Sequence, residues 1–398
     1  MNPSYEQQKC QVCKDKKWRQ LDTLISGIWD KTQQELNRKE LILPLGECEF
    51  CGHVQMMSVY DKDMFDYLYF SDLREPSMFM IPKENEVSPY GQMIDFFKPY
   101  LIEHGNIADF GCGAGNIFKE IKKQTAPNVT LCGVDFKPAI DDPSIKTLAW
   151  NLNAEDEMPR DLWPNGIDLA ISTHVLEHVI NPVTFLQTIR KQLSEEGKVF
   201  IEVPDCSPNT DLSNIAFTNV VHGQHIHYFS LKTLDLIAQK AGFHIIKSLQ
   251  LMTRSTPRVL LILEKSTSIN ASQKITENAT TAVRQQLTQI RVQHELLATL
   301  LMRVINEKGK AGIWGVGGDT YLLLKNHPEL VQALADNKLE LFDFELAGHT
   351  YLNAPIRSSS LLPSIDMTVF MSPLFAPTRE KMYLISRGWT ADIVNPYL

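Results

Sequence analysis

The run IADFGCGAG, residues 107–115, constrains the fold more than any other part of this 398-residue chain. A short apolar strand carries an acid near its end, and glycines then alternate at Gly111, Gly113 and Gly115 before an amphipathic segment, NIFKEIKKQ. Glycine has no Cβ, so it lets the backbone turn sharply and approach a ligand closely. Strand, glycine turn and helix in that order predict the first βα unit of an open α/β sheet that binds a nucleotide-like molecule. The spacing D-x-G-x-G-x-G, starting at Asp109, departs from the dinucleotide form G-x-G-x-x-G, which counts against a dinucleotide-dependent oxidoreductase.

Downstream, apolar segments alternate with amphipathic ones. Strands are predicted at NIADFG, VTLCGVD (129–135), IKTLAW (145–150), IDLAIS (167–172) and KVFIEV (198–203), with helices such as PVTFLQTIRKQL between them. FHIIKSL and RVLLILEK close the unit near residue 265. The fold class is therefore α/β, a doubly wound and largely parallel sheet. Ligands of such sheets bind at the carboxyl ends of the strands, and the motifs fall there. Asp135, in GVDFKP, is placed to accept both ribose hydroxyls of a nucleoside. Leu152 and Asn153 follow the third strand and could flank an adenine, one by packing and one by hydrogen bonding. Thr173 and His174 open the run STHVLEHVINP after the fourth, in which His178 could simply pack or cap a helix.

The cysteines divide into two groups. Cys10 and Cys13 form one C-x-x-C, and Cys48 and Cys51 form another in ECEFCGH. Each pair places two thiolates on one tight turn, and two such turns complete a closed, structural zinc site. The long segment between the pairs must carry structure of its own, and Gly52 suits a sharp knuckle turn. His53 is a weaker substitute ligand. Cys112, Cys132 and Cys206 are scattered and are expected in the core.

The net charge of −8 provides no basic footprint for nucleic acid. No apolar run is long enough to span a bilayer, and the start MNPSYEQQKC lacks the apolar core of a signal peptide. A cytoplasmic protein, monomer or homodimer, without membrane or nucleic-acid partners, is the expectation.

Taken in order, D-x-G-x-G-x-G, GVDFKP and HVLEHVINP resemble the class I S-adenosylmethionine-dependent methyltransferases. The resemblance implies S-adenosylmethionine as cofactor, held by Asp109, Gly111, Gly113, Gly115, Asp135, Leu152, Asn153, Thr173 and His174, with the turn after the fourth strand at its methionine end. The wider layout, with cysteine knuckles before this domain and a second glycine-rich α/β unit after it, resembles the zinc-containing nucleotide-sugar C-methyltransferases. That family carries an H-E-H-x-x-Y-F-S pattern after the fifth strand. Here GQHIHYFSL, residues 223–231, matches it at His225, Tyr228, Phe229 and Ser230, while Gly223 and Gln224 replace the first histidine and the glutamate. The resemblance implies C-methylation next to the ketone of a nucleotide-linked deoxysugar, with His225 as general base, Gln224 in the place of its tuning glutamate, and Tyr69 of YLYFSD as a hydroxyl donor. TRSTPR, residues 253–258, stands where the family has H-G-G-S-x-R. O- or N-methylation of another saccharide or small metabolite remains an alternative. So does a binding or scaffold protein with a vestigial fold, a packing role for His225, or a metal cluster of His222, His225 and His227.

The expected organisation is a zinc-binding module at 1–75, the methyltransferase domain at 76–265, a helical linker at 266–310 and a second Rossmann-like α/β domain at 311–398. The linker reads as a long amphipathic helix or helix pair, with Leu287, Ile290, Leu296, Leu297, Leu300 and Leu301 at helical spacing. In the last domain AGIWGVGGDTYLLLKN repeats the strand, glycine turn and helix, and Asp343 ends the next strand. In the resembled family this unit helps to hold the nucleotide part of the substrate. Asp319 replaces a lysine common after the family's turn, and a purely structural cap is the alternative.

Overall fold

The long segment between the cysteine pairs folds as two strands, β1 (Trp18–Asp30) and β2 (Asn37–Cys48), in a computed structural model of the chain. The structure describes residues 8–68, 89–125, 128–154, 157–159, 162–210, 220–251, 257–266, 278–374 and 376–397. They fall into two units. The first comprises Met1–Thr23, Pro44–Thr210 and Gly223–Val283; the second comprises Leu24–Leu43, Asp211–His222 and Arg284–Leu398.

In the first unit β3 (Val54–Met56), α1 (Lys62–Leu68) and α2 (Pro89–Phe97) precede the glycine-turn strand β4 (Gly105–Phe110) and α3 (Asn116–Ile121). There follow β5 (Val129–Asp135), β6 (Lys146–Ala149), β7 (Ile167–Thr173), α4 (Pro182–Gln192), β8 (Leu193–Pro204), β9 (His227–Tyr228), α5 (Leu231–Lys240), β10 (Phe243–Leu251) and β11 (Arg258–Lys265). The main sheet has the order β10-β11-β8-β7-β4-β5-β6. The five strands from β6 to β8 pair in parallel, and the order reverses direction around β4, the position at which open α/β sheets bind ligands. Only β11 runs against the others, pairing antiparallel with both β8 and β10, because the few residues that join β10 to β11 cannot make a crossover.

Local chemistry agrees with these elements. Asn181 caps α4 by accepting from Thr184 N at 3.1 Å, with Pro182 in the first turn and Phe185, Leu186 and Ile189 on the buried face. Ser230 caps α5 through a reciprocal pair with Thr233. Ser230 thereby stops the segment that carries His225. Phe110, Val134 and Ile201 pack on one face of the sheet, and Ile107, Phe118 and Phe200 on the other. Burial on both faces explains why these strands read as continuous apolar runs. A smaller sheet, β1-β2-β3-β9, joins the N-terminal strands to the segment after His225.

The second unit begins its C-terminal stretch on α6 (Thr280–Lys308), a single 29-residue helix. Leu287, Leu297 and Leu301 are buried, but Leu296, expected on the same stripe, is exposed; the apolar face is narrower than the run of leucines implies. Then come β12 (Ala311–Trp314), α7 (Gly318–Asn326), α8 (Pro328–Ala335), β13 (Leu339–Asp343), β14 (Thr350–Tyr351), β15 (Ala354–Ser358), β16 (Thr368–Met371), α9 (Ala376–Ile385) and β17 (Asp392–Val394). The sheet order β14-β15-β13-β12-β16-β17 is parallel except at β14, a second Rossmann-like layer. Among the described residues no helix is long and apolar enough to cross a membrane.

Candidate active site

The glycine turn lies between β4 and α3. Gly111, Gly113 and Gly115 have φ of 86°, 48° and 68°, the left-handed region that a side chain disfavours. A Cβ on Gly111 would meet Val175 Cγ2 at 2.1 Å, and one on Gly115 would meet Ile140 at 2.8 Å. A Cβ on Gly113 would meet nothing within 4 Å, so the turn's middle is open to a ligand. Asp135, at the end of β5, accepts from Gly113 N at 3.0 Å through Oδ2 and from Lys137 N at 3.0 Å through Oδ1. It thus braces the turn, and each carboxylate oxygen keeps a further lone pair. Asp109 is buried with its Oδ1 unpartnered. Burial, reinforced by the Asp135 carboxylate, pushes the Asp109 carboxyl up to about 8.

Of the other residues predicted for this site, Leu152 is half-buried against the core. Asn153 Oδ1 accepts from Ile180 N at 2.7 Å and so ties the turn after β6 to the turn after β7. Thr173 ends β7, and His174 follows with φ of 52°. Its Nδ1 lies 3.2 Å from Glu177 Oε1 and its Nε2 lies 3.1 Å from Glu202 Oε1. Burial opposes a charge on His174, but hydrogen bonds to the two carboxylates outweigh it and raise the imidazole to about 9. Glu202 also pairs with Arg258 Nη1 at 2.9 Å, and both side chains are buried.

His225 reaches the same cluster. It is buried, and its Nε2 lies 3.9 Å from Glu177 Oε1. The His178 ring meets the His225 ring edge to face at 4.8 Å between centroids. His178 Nδ1 lies 2.9 Å from the Gln224 carbonyl and its Nε2 lies 3.8 Å from Glu177 Oε1. Gln224 turns its amide to the Leu68 carbonyl at 2.8 Å. Tyr69 lies outside the described residues. His227 points elsewhere, at His53, with Nδ1 and Nε2 2.9 Å apart. Among the described residues, the histidine grouped with other candidate ligands is His225, with Glu177 and His178 in place of His222 and His227.

Sequence reading missed Glu177, Glu202, Arg258 and Tyr90. Glu177 sits inside a motif that was singled out for its histidines. Glu202 looks like an ordinary acid on a strand, and Arg258 opens the last strand without any motif. Tyr90, on α2, is pushed up to about 12 by burial and by the Asp109 carboxylate, which places its phenol near the glycine turn.

The four knuckle cysteines converge elsewhere in the same unit. Cys10 and Cys51 Sγ are 3.6 Å apart, Cys13 and Cys48 Sγ are 3.4 Å apart, and all four lie within 4.8 Å of one another. Gly52, with φ of 70°, donates to the Cys48 carbonyl at 2.8 Å and closes the knuckle turn. His53 takes no part, being paired with His227. Cys112, Cys132 and Cys206 are buried singly, as expected.

In the second unit the glycine turn at 315–318 repeats the bracing. Asp343 Oδ2 accepts from Val316 N at 2.8 Å. Asp319 accepts from Leu374 N at 2.9 Å. The Arg38 guanidinium lies 5.2 Å from the ring centroids of both Trp29 and Tyr321 and borders Gly318.

A family model described as a methyltransferase domain matches residues 84–248. The matched segment is a methyltransferase domain, which makes S-adenosylmethionine-dependent methyl transfer the reaction class of the chain. Solved structures with a similar fold include the 1,6-didemethyltoxoflavin N1-methyltransferase of Burkholderia thailandensis, determined with 1,6-didemethyltoxoflavin and S-adenosylhomocysteine bound. It is 18% identical, with a TM-score of 0.35, over 44% of this chain and 78% of its own. A S-adenosylmethionine-dependent methyltransferase from Mesorhizobium loti is 16% identical, with a TM-score of 0.34, over 42% of this chain and 95% of its own. A search of curated proteins found no match.

Proposed function

We propose that the chain methylates carbon next to the ketone of a nucleotide-linked deoxysugar, with His225 as the general base. The observation that carries this reading is the placement of buried His225 against Glu177, in the turn that follows the strand next to β4. S-adenosylmethionine supplies an electrophilic methyl group on a positive sulfonium. The residues present fit that donor. Gly113 leaves open backbone at the turn, Asp135 keeps lone pairs for ribose hydroxyls, Leu152 offers an apolar face, and Asp109 has a buried oxygen without a partner.

A ketone acidifies the neighbouring carbon, and a histidine within reach of it removes the proton near neutral pH. The C–H electron pair would pass into the enolate beside His225, and S-adenosylmethionine, held by Asp109, Gly113 and Asp135, would supply the methyl group to that carbon and keep the C–S pair as the neutral thioether. A buried site excludes water from this carbanion equivalent and fixes the approach.

The four cysteines are read as a structural zinc site. A tetrahedron with Zn–S bonds of about 2.3 Å has sulfur–sulfur edges of about 3.8 Å, close to the separations of the two thiol pairs. The second unit is read as a nucleotide-binding layer, with Arg38 beside its glycine turn as the phosphate-seeking group.

The test is incubation of a panel of nucleotide-linked keto-deoxysugars with methyl-labelled S-adenosylmethionine, read by mass spectrometry. A labelled C-methyl product is expected, with solvent deuterium entering the unreacted acceptor at the carbon next to the ketone. H225A should lose turnover while still binding S-adenosylhomocysteine. Near-normal turnover by that variant would defeat the deprotonation mechanism, and label on oxygen or nitrogen would redirect the acceptor.

A further inference from the structure

We propose that Glu177 is the positioning residue of this site: it orients the His225 ring and stabilises its protonated form, in place of the neighbouring glutamate that Gln224 has displaced. The inference rests on His225 being the base.

Glu177 grips the His225 segment twice. Its carbonyl accepts from Ile226 N at 2.8 Å and from His227 N at 3.1 Å, so the backbone just after His225 is fastened to it. Its carboxylate is fully buried and faces the His225 ring through Oε1, while Oε2 has no hydrogen-bond partner. A buried carboxylate oxygen without a donor is costly. A positive charge forming on His225 lessens that cost, although Oε1, the atom that faces the ring, already meets the His174 imidazole at 3.2 Å. That event is the proposed step itself: the carbon-bound proton moves to Nδ1 of His225, the C–H electron pair enters the enolate, and a ring already protonated at Nε2 becomes imidazolium. At 3.9 Å the Glu177 carboxylate faces the forming imidazolium as a charge rather than as a hydrogen-bond acceptor, which is the electrostatic half of the division of labour found between aspartate and histidine in acyl transfer.

The local charges favour this role. Around Glu177 lie His174, His178, His225, His227 and Cys206, and behind His174 lie Glu202 and Arg258. Burial lowers His178 and His227, which keeps them neutral. His174 shares its charge between two glutamates. Glu202 is matched by Arg258. Among the described residues, the carboxylate that faces His225 is therefore Glu177. The same donor atoms of Glu177, His178 and His225 lie within 4.8 Å, a spacing that a divalent cation could bridge. The charged His174 on the same oxygen opposes that use.

The experiment needs no acceptor. Imidazole resonances of the histidine-labelled full chain are followed by 15N NMR with S-adenosylhomocysteine present, and His225 is assigned by its loss in H225Q. The neutral ring should carry its proton on Nε2. In E177Q the His225 midpoint should fall by about one to three pH units, the loss expected for one opposite charge at this range, and E177D should recover most of it. An unchanged midpoint in E177Q, or a neutral Nδ1–H tautomer in the wild type, would overturn the proposal. The wild-type tautomer decides even if E177Q fails to fold. Selective broadening of His178 and His225 by micromolar Mn2+ would overturn it in favour of a cation site. None of these readings depends on the sugar, so failure of the keto-sugar screen leaves them intact.

Discussion

Replacing Arg258 with methionine should strand a charge in the middle of the sheet. Arg258 Nη1 lies 2.9 Å from Glu202 Oε2, with side chains 1% and 0% exposed. Removing one member of such a pair costs about 3–5 kcal/mol, because the survivor is left buried and uncompensated. Here Glu202 keeps His174 as a second partner at 3.1 Å, so the lower end, about 3 kcal/mol, is expected at pH 7. R258M/E202Q removes both charges and should be less destabilised than R258M alone. The pH dependence has a definite sign. His174 is raised from 6.5 to about 9 in the folded protein. Its stabilising contribution is full below about 6.5 and is lost as pH rises through about 9. R258M should therefore cost more at pH 9.5 than at pH 7, where His174 still balances Glu202. Urea unfolding of the wild type, both single variants and the double variant, followed by circular dichroism and tryptophan fluorescence, gives the coupling energy where the two probes coincide. A double variant as unstable as the sum of its singles would refute the reasoning.

Asp109 offers the opposite case. Its folded carboxyl is raised to about 8, so its burial subtracts stability increasingly as pH rises from about 4 to 8. D109N should stabilise the protein by about 1–3 kcal/mol at pH 8.5 while weakening S-adenosylhomocysteine binding at least tenfold by isothermal titration. A variant that binds normally would remove Asp109 from the donor site. G113A, with open space at its Cβ but φ of 48°, should lose only about 1–2 kcal/mol of stability and nearly all cofactor binding; retained binding would show that no ligand approaches there. Metal analysis of the purified protein should find about one zinc per chain. C48S should lose it together with a large drop in melting temperature, whereas a folded, metal-free wild type would refute the zinc reading.

What sequence reading caught and what it missed follow from the range of the interactions. The glycine turn, the order of strands and the capped helix after Asn181 are set by neighbours within a few residues, and all three are found. β1 and β2 lack a strict alternation, and most of β1 is only half-buried, so their strands leave a weak pattern. Leu296 shows the limit of helical spacing, since a residue can fit the period and still lie at the edge of the buried face. The site itself was half legible. His225 and His174 stand in recognisable runs, but Glu202 lies 28 residues beyond His174 along the chain, and Arg258, which pairs with Glu202, lies 56 residues beyond that. The change from glutamate to Gln224 appears to the sequence as a lost charge; in three dimensions, among the described residues, the carboxylate that faces His225 belongs to Glu177.

The glycine motif and the histidine cluster are not independent features. Gly111 cannot accept a Cβ because Val175 occupies that space at 2.1 Å, and Val175 lies between His174 and Glu177 in the turn after β7. The first glycine of the motif is thus required by packing against the turn that carries the histidines, whereas Gly113 faces open space. One glycine brings the two turns together and the other leaves room between backbone and ligand. That division explains why the motif, three strands earlier in the chain, lies beside the turn that carries His174 and Glu177, since β4 and β7 are neighbours in the sheet. Under the proposed function, a methyl donor held at the first turn would lie against the second, which is the arrangement a proton abstraction followed by methyl transfer requires.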